Sequence, residues 1–264
     1  MVEPFSIVPV EKFSRGTIEV NGEGVITEQS VSLTVNGKIW LTFMCTPINL
    51  EELAVGFLFN ENVISNRDEI LDIYVCEHKD NVDIWLDKSV EEPKNWRRTS
   101  GCTGGYTAAV LEEVSPVKSN GLVLSPEKIL GLVRELFESQ EVYRKTGGVH
   151  SSALADGEKI VFQLEDVGRH NTLDKIAGKI LLGDLKINTK VILSTGRISS
   201  EMLQKAARLQ TTILISRTSP TSMSVELADK LGITLIGYAR GHRFNVYSHP
   251  ERVRFERKLQ PKKQ

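Results

Sequence analysis

Short runs of alternating apolar and polar residues dominate the first third of the chain. Two such runs flank the Asn-Gly pair at 36–37, which favours the left-handed turn of a two-residue hairpin, so strands are predicted at about 30–35 and 38–45. Two more runs, at 70–75 and 82–86, predict a second strand pair. This part of the chain is therefore expected to be a β-rich module.

Three segments instead carry apolar residues at helical spacing. The first follows Asn49, which can cap a helix, and the second follows Ser125, where a cap precedes a proline at the first helical position. The third begins at about Asn171, after a predicted hairpin whose strands, at 151–155 and 159–164, flank an Asp-Gly turn. We expect the first of these helices to support the β-rich sheet.

The last third has the most regular pattern. Compact apolar runs at 190–194, 212–216 and 233–237 alternate with helical stretches at 201–209 and 222–231. Alternation of short buried strands with helices is typical of right-handed βαβ units and of a parallel sheet covered on both faces. Ligands bind such sheets at the carboxyl ends of the strands. The predicted fold class is therefore α/β.

Length and composition limit the possible functions. The 264 residues are predicted to form two domains, a smaller β-rich module over 1–118 and an α/β domain over 119–264. With 33 basic and 34 acidic side chains, the whole molecule is not an expected partner of nucleic acid or of an anionic membrane. Because the first residues do not resemble a signal peptide and no stretch approaches the ~20 apolar residues of a membrane helix, a cytoplasmic protein is expected.

One thiol stands out for its setting. Cys102 lies among glycines and small hydroxyl residues and follows Arg97 and Arg98. Glycines permit close approach by another molecule, and nearby positive charge favours the thiolate, which is the form that attacks. A lone cysteine can equally be a small buried hydrophobe, so on spacing alone both interpretations stay open. The other cysteines, Cys45 and Cys76, follow apolar runs and are predicted to fill the core.

Arginines gather where the last three strands are predicted to end. Arg197 and Arg217 lie with hydroxyl residues just before a helix, whose free backbone amides attract anions, and Arg240 and Arg243 follow the third strand. Forked guanidinium donors suit phosphate oxygens, and His242 could add a hydrogen bond or stack on a base. Surface ion pairs are the alternative for any one arginine. For the group as a whole, the prediction is a phosphate-bearing ligand.

Two further polar clusters mix glycines with ionisable groups. In one, His170 and Asn171 would lie at a helix N-terminus, a position suited to a guanine, a phosphate or a partner carboxylate. The other contains His150, a second histidine considered for ligand contact. A cap by Asn171 and a salt bridge between Asp166 and Arg169 would explain much of the first cluster without a ligand.

These motifs, taken in order, resemble those of the FdhD/NarQ family, the sulfurtransferase accessory proteins of formate dehydrogenase. The matching blocks span most of the chain, which is more specific than any single motif. They are Thr46-Pro-Ile-Asn-Leu-Glu-Glu-Leu-Ala-Val-Gly-Phe-Leu, Ser100-Gly-Cys-Thr-Gly-Gly, Thr146-Gly-Gly-Val-His, Glu165-Asp-Val-Gly-Arg-His-Asn, Ser194-Thr-Gly-Arg-Ile-Ser-Ser and Gly237-Tyr-Ala-Arg-Gly-His-Arg-Phe-Asn-Val-Tyr.

The resemblance implies that Cys102 accepts sulfur from a cysteine desulfurase as a persulfide. The sulfur then passes to the molybdenum or tungsten of a bis(molybdopterin guanine dinucleotide) cofactor, the cargo that the formate dehydrogenase catalytic subunit uses. The resemblance also implies a cytidine-deaminase-like α/β domain and a homodimer. Contact with this cofactor is implied for Tyr238, Ala239, Arg240, Gly241, His242 and Arg243. This agrees with the phosphate prediction, which adds Arg197 and Arg217, and with the ligand contact considered for His170.

One position departs from the family pattern. Many relatives carry a CxxC pair in this loop, whereas the residue three after Cys102 is Gly105, so a resolving thiol is absent. This puts in doubt any mechanism that needs an internal disulfide, although a lone persulfide carrier is chemically sufficient by thiol exchange. Arg97 and Arg98 are expected to stabilise the anionic carrier.

Two other functions compete with that of a sulfur carrier. A zinc-dependent nucleotide deaminase, suggested by fold analogy, needs a His-or-Cys-x-Glu segment together with a Pro-Cys-x-x-Cys segment, and the chain lacks this pair, so no zinc is expected. The second is a non-catalytic chaperone that binds the guanine cofactor and docks on the dehydrogenase, with Cys102 uninvolved. The sequence leaves this alternative open.

Overall fold

The structure, a computed structural model, describes residues 2–94, 97–98, 106–107, 114–118 and 121–255. The strands are β1 (Phe5–Ser14), β2 (Thr17–Ile26), β3 (Gln29–Val35), β4 (Lys38–Cys45), β5 (Ile70–Val75), β6 (Asn81–Leu86), β7 (Arg97–Arg98), β8 (Tyr106–Thr107), β9 (His150–Ala155), β10 (Ile160–Asp166), β11 (Val191–Ser194), β12 (Ile213–Ser216), β13 (Thr234–Arg240) and β14 (Arg243–Val246). The helices are α1 (Leu50–Asn60), α2 (Pro126–Ser139), α3 (Val142–Thr146), α4 (Arg169–Leu182), α5 (Ser200–Arg208) and α6 (Ser222–Leu231). This mixture of strands and helices confirms the predicted α/β class. None of the helices among the described residues is long and apolar enough to cross a membrane.

The larger sheet has six strands in the order β10-β9-β11-β12-β13-β14. Strands β11, β12 and β13 are parallel, as the alternating pattern predicts, and their side chains alternate between α2 on one face and α4, α5 and α6 on the other. The outer strands are antiparallel, so the sheet is mixed rather than wholly parallel. The reason is local, because β9–β10 and β13–β14 are joined by tight turns, which only antiparallel neighbours can use.

The third parallel strand is longer than the sequence predicts. It continues past Gly237 to Arg240 and then turns through Gly241, which has a φ of 60°, into β14. Tyr238, with a φ of 53°, interrupts the register between Gly237 and Arg240. The segment expected to be a loop beyond a strand is therefore a bulged strand end and the tip of a hairpin.

The smaller sheet has the order β4-β3-β6-β5, and α1 covers one of its faces as predicted. Asn36 and Gly37 have φ values of 48° and 77°, which confirms the left-handed hairpin turn. The prediction that the side chain of Asn49 caps α1 is wrong. Asn49 has a φ of 52° rather than the extended backbone that capping needs, and its amide donates instead to Glu52 Oε1 at 3.1 Å.

Helices α1 and α4 bring the two predicted domains into direct contact. A Cβ on Gly56 would lie 1.7 Å from the carbonyl oxygen of Asp174, and one on Gly178 would lie 1.9 Å from that of Glu52. Only glycine permits backbones to approach this closely. The division of the chain into two domains at residue 118 stays a prediction.

Candidate functional site

Arginine side chains line a cavity of about 270 Å³ between α2 and the ends of β12 and β13. Arg217 follows β12, and its Cζ atom lies 3.6 Å from the centre of the Phe137 ring on α2. Arg240, at the end of β13, lies with its Cζ atom 5.9 Å from the ring centre of Tyr238. We call this space the arginine cavity; its lining residues are Leu130, Val133, Arg134, Phe137, Arg217, Arg240 and Gly241.

The electrostatics of the arginine cavity favour an anion. Partial burial lowers the pKa of Arg217, the phenol of Tyr143 opposes this shift, and the positive charge of Arg240 adds to it. An arginine remains protonated at neutral pH even so, because its ordinary pKa exceeds 12. Two guanidinium groups that repel each other across a small cavity are stabilised when a negative ligand enters between them.

A second cavity, of about 330 Å³, shares Arg217 with the arginine cavity. Its polar groups include His150, whose Nδ1 atom is 3.4 Å from Thr195 Oγ1. The same hydroxyl accepts a hydrogen bond of 3.0 Å from the backbone N–H of Ser151. We call this space the imidazole cavity; its lining residues are Gln140, Tyr143, Gly147, Gly148, Val149, His150, Val167, Thr195 and Arg217.

The remaining residues of the predicted phosphate site do not line the arginine cavity. His242 and Arg243 are exposed at the tip of the β13–β14 hairpin, where Arg243 is paired with Arg240. Arg197 is exposed after β11 and does not line it either. Ala239 is 0% exposed because its methyl group packs in the core against α2. Only its backbone is therefore left to contact a ligand.

His170 lies at the N-terminus of a helix, as predicted, but it is buried. Helix α4 begins at Arg169, and His170 is 5% exposed with its Nε2 atom 3.4 Å from Ser199 Oγ. Burial, followed by the charge of Lys205, holds the pKa of His170 well below its ordinary value. His170 lines neither the arginine cavity nor the imidazole cavity, and contact with a ligand stays a prediction.

The two bonds suggested as a ligand-free explanation of this cluster are not the ones that form. Gly168, not Asn171, occupies the N-cap position of α4. The amide of Asn171 donates to Asp166 Oδ1 at 2.8 Å and to the carbonyl of Met44 at 3.0 Å. Asp166 forms its salt bridge with Lys175, at 2.7 Å, because Lys175 lies two helical turns into α4 and is buried beside it.

The three cysteines have different surroundings. Cys45 is buried in the core as predicted, and burial, followed by the charge of Asp166, raises its pKa to about 12. The core prediction is wrong for Cys76, because β5 ends at Val75 and the thiol lies in the following turn, where it donates to Asp80 Oδ1 at 2.8 Å. Cys102 lies outside the described residues.

The predicted carrier segment is described only at its two sides. Arg97 and Arg98 form β7, which pairs with β8 in antiparallel register, Arg97 opposite Thr107 and Arg98 opposite Tyr106. Their expected role beside the thiol therefore stays a prediction. The part of the chain that the structure describes contains no group of three His, Cys, Asp or Glu side chains that could ligate a metal ion.

Sequence reasoning missed the α2 side of the arginine cavity. Leu130, Val133, Arg134 and Phe137 follow one another at intervals of three, one and three residues, so they share one face of the helix. Val133 and Phe137 belong to the apolar spacing that predicts the helix after Ser125, and that spacing does not distinguish a cavity lining from a core face. The available signal was Arg134, a charged residue that interrupts an otherwise apolar helical face.

Known proteins resemble this chain over nearly its whole length. The FdhD/NarQ family model matches residues 26–254. The sulfur carrier protein FdhD of Bacillus subtilis strain 168 is 36% identical, over 93% of this chain and 96% of its own length. That of Staphylococcus aureus strain MRSA252 is 33% identical, over 93% and 95%. A crystal structure described as that of a formate dehydrogenase accessory protein from Desulfotalea psychrophila superposes with a TM-score of 0.81 at 32% identity, over 95% of this chain and 100% of that one. The chain belongs to the FdhD/NarQ family.

Proposed function

We propose that the protein carries sulfur as a persulfide on Cys102 and delivers it to the metal of a bis(molybdopterin guanine dinucleotide) cofactor for formate dehydrogenase. The observation that carries this proposal is the 36% identity, over 93% of the chain, to a protein named sulfur carrier. The chemistry of the other two thiols supports the choice of cysteine. A pKa raised to about 12 leaves Cys45 unreactive, and Cys76 donates a hydrogen bond to Asp80.

The proposed sulfur transfer needs no second thiol. The thiolate of Cys102 attacks the terminal sulfur of a desulfurase persulfide, so that one sulfur–sulfur bond forms, another breaks, and the desulfurase thiolate leaves. Delivery of the terminal sulfur to a reduced molybdenum or tungsten breaks the new bond and returns Cys102 as a thiolate, and the two electrons that turn this sulfur into a sulfide ligand come from the metal, which is oxidised by two units. The glycine at position 105 is therefore compatible with the role.

The arginine cavity is the proposed site for the guanine nucleotide part of the cofactor. Its donors fit a diphosphate, because Arg217 and Arg240 offer several N–H groups and Arg217 is held in place by its stacking on Phe137. The neighbouring aromatic ring of Tyr238, 38% exposed, is available to a base. His242 and Arg243, exposed on the adjoining hairpin, would contact the parts of the cofactor that project outside the cavity.

The resemblance supplies the remaining parts of the proposal. A cysteine desulfurase provides the sulfur, the formate dehydrogenase catalytic subunit receives the cofactor, and the carrier acts in the cytoplasm as a homodimer. The larger domain is expected to be cytidine-deaminase-like. Arg197 and His170 remain part of the proposed cofactor contact, Arg197 through its exposed guanidinium and His170 only if the buried first turn of α4 opens.

Mass spectrometry of the cysteine peptides tests the proposal. After incubation with a cysteine desulfurase and free cysteine, we expect one extra sulfur atom on the peptide that contains Cys102, in the wild type and in a Cys76→Ser control. A Cys102→Ala variant should gain none and should lose cofactor sulfuration while still binding GDP. Undiminished sulfuration in Cys102→Ala would instead identify the protein as a non-catalytic cofactor chaperone.

A further inference from the structure

We propose that Glu165 is a positioning residue of the arginine cavity. Its carboxylate holds the short helix α3 in place, and α3 in turn holds the aromatic ring on which the Arg217 guanidinium stacks. The inference rests on the proposed function, because it names a residue that controls how tightly the same cavity binds a nucleotide without touching that nucleotide. Glu165 lies on β10 and lines neither the arginine cavity nor the imidazole cavity.

The Glu165 carboxylate accepts the backbone N–H groups at the start of α3. Its Oε2 atom accepts those of Glu141 and Val142, at 3.0 and 2.9 Å, and its Oε1 atom accepts that of Tyr143 at 3.0 Å. Glu141, at the N-cap position, makes no capping bond with its own side chain. A buried side chain from a neighbouring strand therefore satisfies the N–H groups that an N-cap residue usually satisfies.

Helix α3 depends on this support more than a longer helix would. It has five residues, whereas an isolated helix shorter than about 12 residues is marginal in water. A fourth donor, the hydroxyl of Ser151 on β9, lies 3.3 Å from Glu165 Oε1, and the same hydroxyl oxygen accepts the amide of Gln140 at 2.8 Å. The Glu165 carboxylate thus joins the segment at 140–143 to the β9–β10 hairpin.

The aromatic contacts of α3 reach Arg217. The ring of Tyr143 meets that of Phe137 edge to face, with the ring centres 6.4 Å apart and an angle of 79° between the planes. The Cζ atom of Arg217 lies 3.6 Å from the centre of the same Phe137 ring. Because edge-to-face pairs have a preferred geometry, a shift of α3 is expected to turn the Phe137 ring. The Arg217 guanidinium would then lose its stacking partner and the fixed direction of its donors.

Calorimetric titration of the full chain with GDP tests the proposal through Glu165→Gln. The amide keeps the size of the side chain but has one acceptor oxygen instead of two, and its NH₂ group would oppose a backbone N–H. We expect the Kd for GDP to rise about fivefold. Glu69→Gln is the matched control, because Glu69 also accepts two backbone N–H groups, those of Ser65 and Asn66, at a one-turn helix before β5. This control should leave the Kd within about 1.5-fold of the wild-type value.

Two further measurements separate positioning from a general loss of stability. Phe137→Leu removes the ring on which Arg217 stacks and should raise the Kd for GDP about tenfold. If Glu165 acts through this ring, Glu165→Gln should add less than about 1.5-fold in the Phe137→Leu background. In NMR spectra, the ring current of Phe137 should shift the Nε–H proton of Arg217 upfield in the wild type and in Glu69→Gln. This upfield shift should decrease in Glu165→Gln.

Distinct results would overturn the positioning role and the proposed function. An unchanged Kd and an unchanged Arg217 resonance in Glu165→Gln contradict the positioning role, as do effects of Glu165→Gln and Phe137→Leu that multiply in the double variant. If Glu165→Gln does not fold, Ser151→Ala removes one donor to the carboxylate, and an Arg217 resonance unchanged in that variant would also contradict the role. Failure of the wild type to bind GDP would instead contradict the nucleotide part of the proposed function, and the Arg217 resonance would still test Glu165.

Discussion

Two sets of charged side chains in the protein differ in whether a buried counter-ion neutralises them. The enclosed ion pairs are Asp166–Lys175, at 2.7 Å and 0% exposed on both sides, and Asp174–Lys205, at 2.6 Å. The open arginines, Arg217 and Arg240, line a cavity; Arg217 stacks on Phe137, and Arg240 lies 5.9 Å from the ring centre of Tyr238. Within the described residues, neither open arginine forms a salt bridge with a carboxylate.

The enclosed ion pairs connect the two predicted domains. Lys175 also donates to the carbonyls of Thr46 and Glu165, at 3.3 and 3.1 Å, and Asp166 accepts the N–H of Thr46 at 3.2 Å. Asp174 in turn accepts a bond of 2.7 Å from Asn60 of α1. These charges are satisfied by the protein itself, whereas the open arginines remain available to a ligand. Burial and partners, rather than residue type, separate a structural charge from a binding one.

The largest expected effect tests the enclosed pairs. Lys175→Met leaves the carboxylate of Asp166 buried without its counter-ion, which is expected to cost about 3–5 kcal/mol in the free energy of unfolding. Arg240→Ala, in the open set, should change that free energy by no more than about 0.5 kcal/mol. Urea denaturation of both variants measures the difference. If both variants lost the same free energy of unfolding, the distinction between the enclosed ion pairs and the open arginines would be wrong.

The close contact of α1 with α4 holds the enclosed pairs in place and gives the next largest effect. In Gly178→Ala, a methyl group would overlap the backbone of Glu52, and the forced separation of the helices is expected to cost about 2–3 kcal/mol. Gly131→Ala is the matched control, because Gly131 lies in α2 with no atom within 4 Å of the added Cβ. It should stabilise the protein by about 0.5–1 kcal/mol. A neutral Gly178→Ala would show that the helices can move apart freely.

The periodicity of apolar residues predicted the βαβ part of the fold well, because the local sequence determines where each of its strands and helices begins and ends. The helix at 222–231 is predicted and observed with the same bounds, and the strands after 190 and 212 begin within one residue of their predicted starts. The β1–β2 hairpin was missed. Its strands are mostly exposed, and Ile7, Phe13 and Ile18 point to solvent, so no alternation between a buried and an exposed face marks them.

Of the candidate site, the sequence predicted only the residues that lie at the ends of strands. Arg217 and Arg240 are brought together by adjacent parallel strands, which the sequence pattern already implied. The contribution of α2 depends on which face of the sheet that helix covers, so Phe137 and Arg134 could not be placed at the site from spacing. Asp166 and Lys175 are close in the sequence, but their pairing depends on how residues 167–168 join β10 to α4.

The third largest expected effect concerns the binding of GDP by the open arginines. Arg217→Lys keeps the charge but loses the planar group that stacks on Phe137 and the forked donors, so the Kd for GDP is expected to rise about 10- to 30-fold. Arg15→Lys, at an exposed position in the turn between β1 and β2, should change it less than about threefold. Fluorescence or calorimetric titration with GDP measures both. An equal loss in Arg15→Lys would show that the effect does not come from the arginine cavity.

The smallest expected effect concerns a buried group that carries no charge. The pKa of His170 is well below its ordinary value of 6.5 in the folded protein, so the unfolded chain takes up a proton first as the pH falls. The stability due to neutral His170 is therefore fully present above pH 6.5 and decreases below it, by about 1 kcal/mol between pH 6.5 and 5.5. His170→Gln should remove this part of the pH dependence in urea denaturation, whereas His78→Gln, at an exposed position, should not. If His170→Gln keeps the full slope, the proton uptake belongs to other groups, and His150, whose pKa is also lowered by burial, is the next to replace.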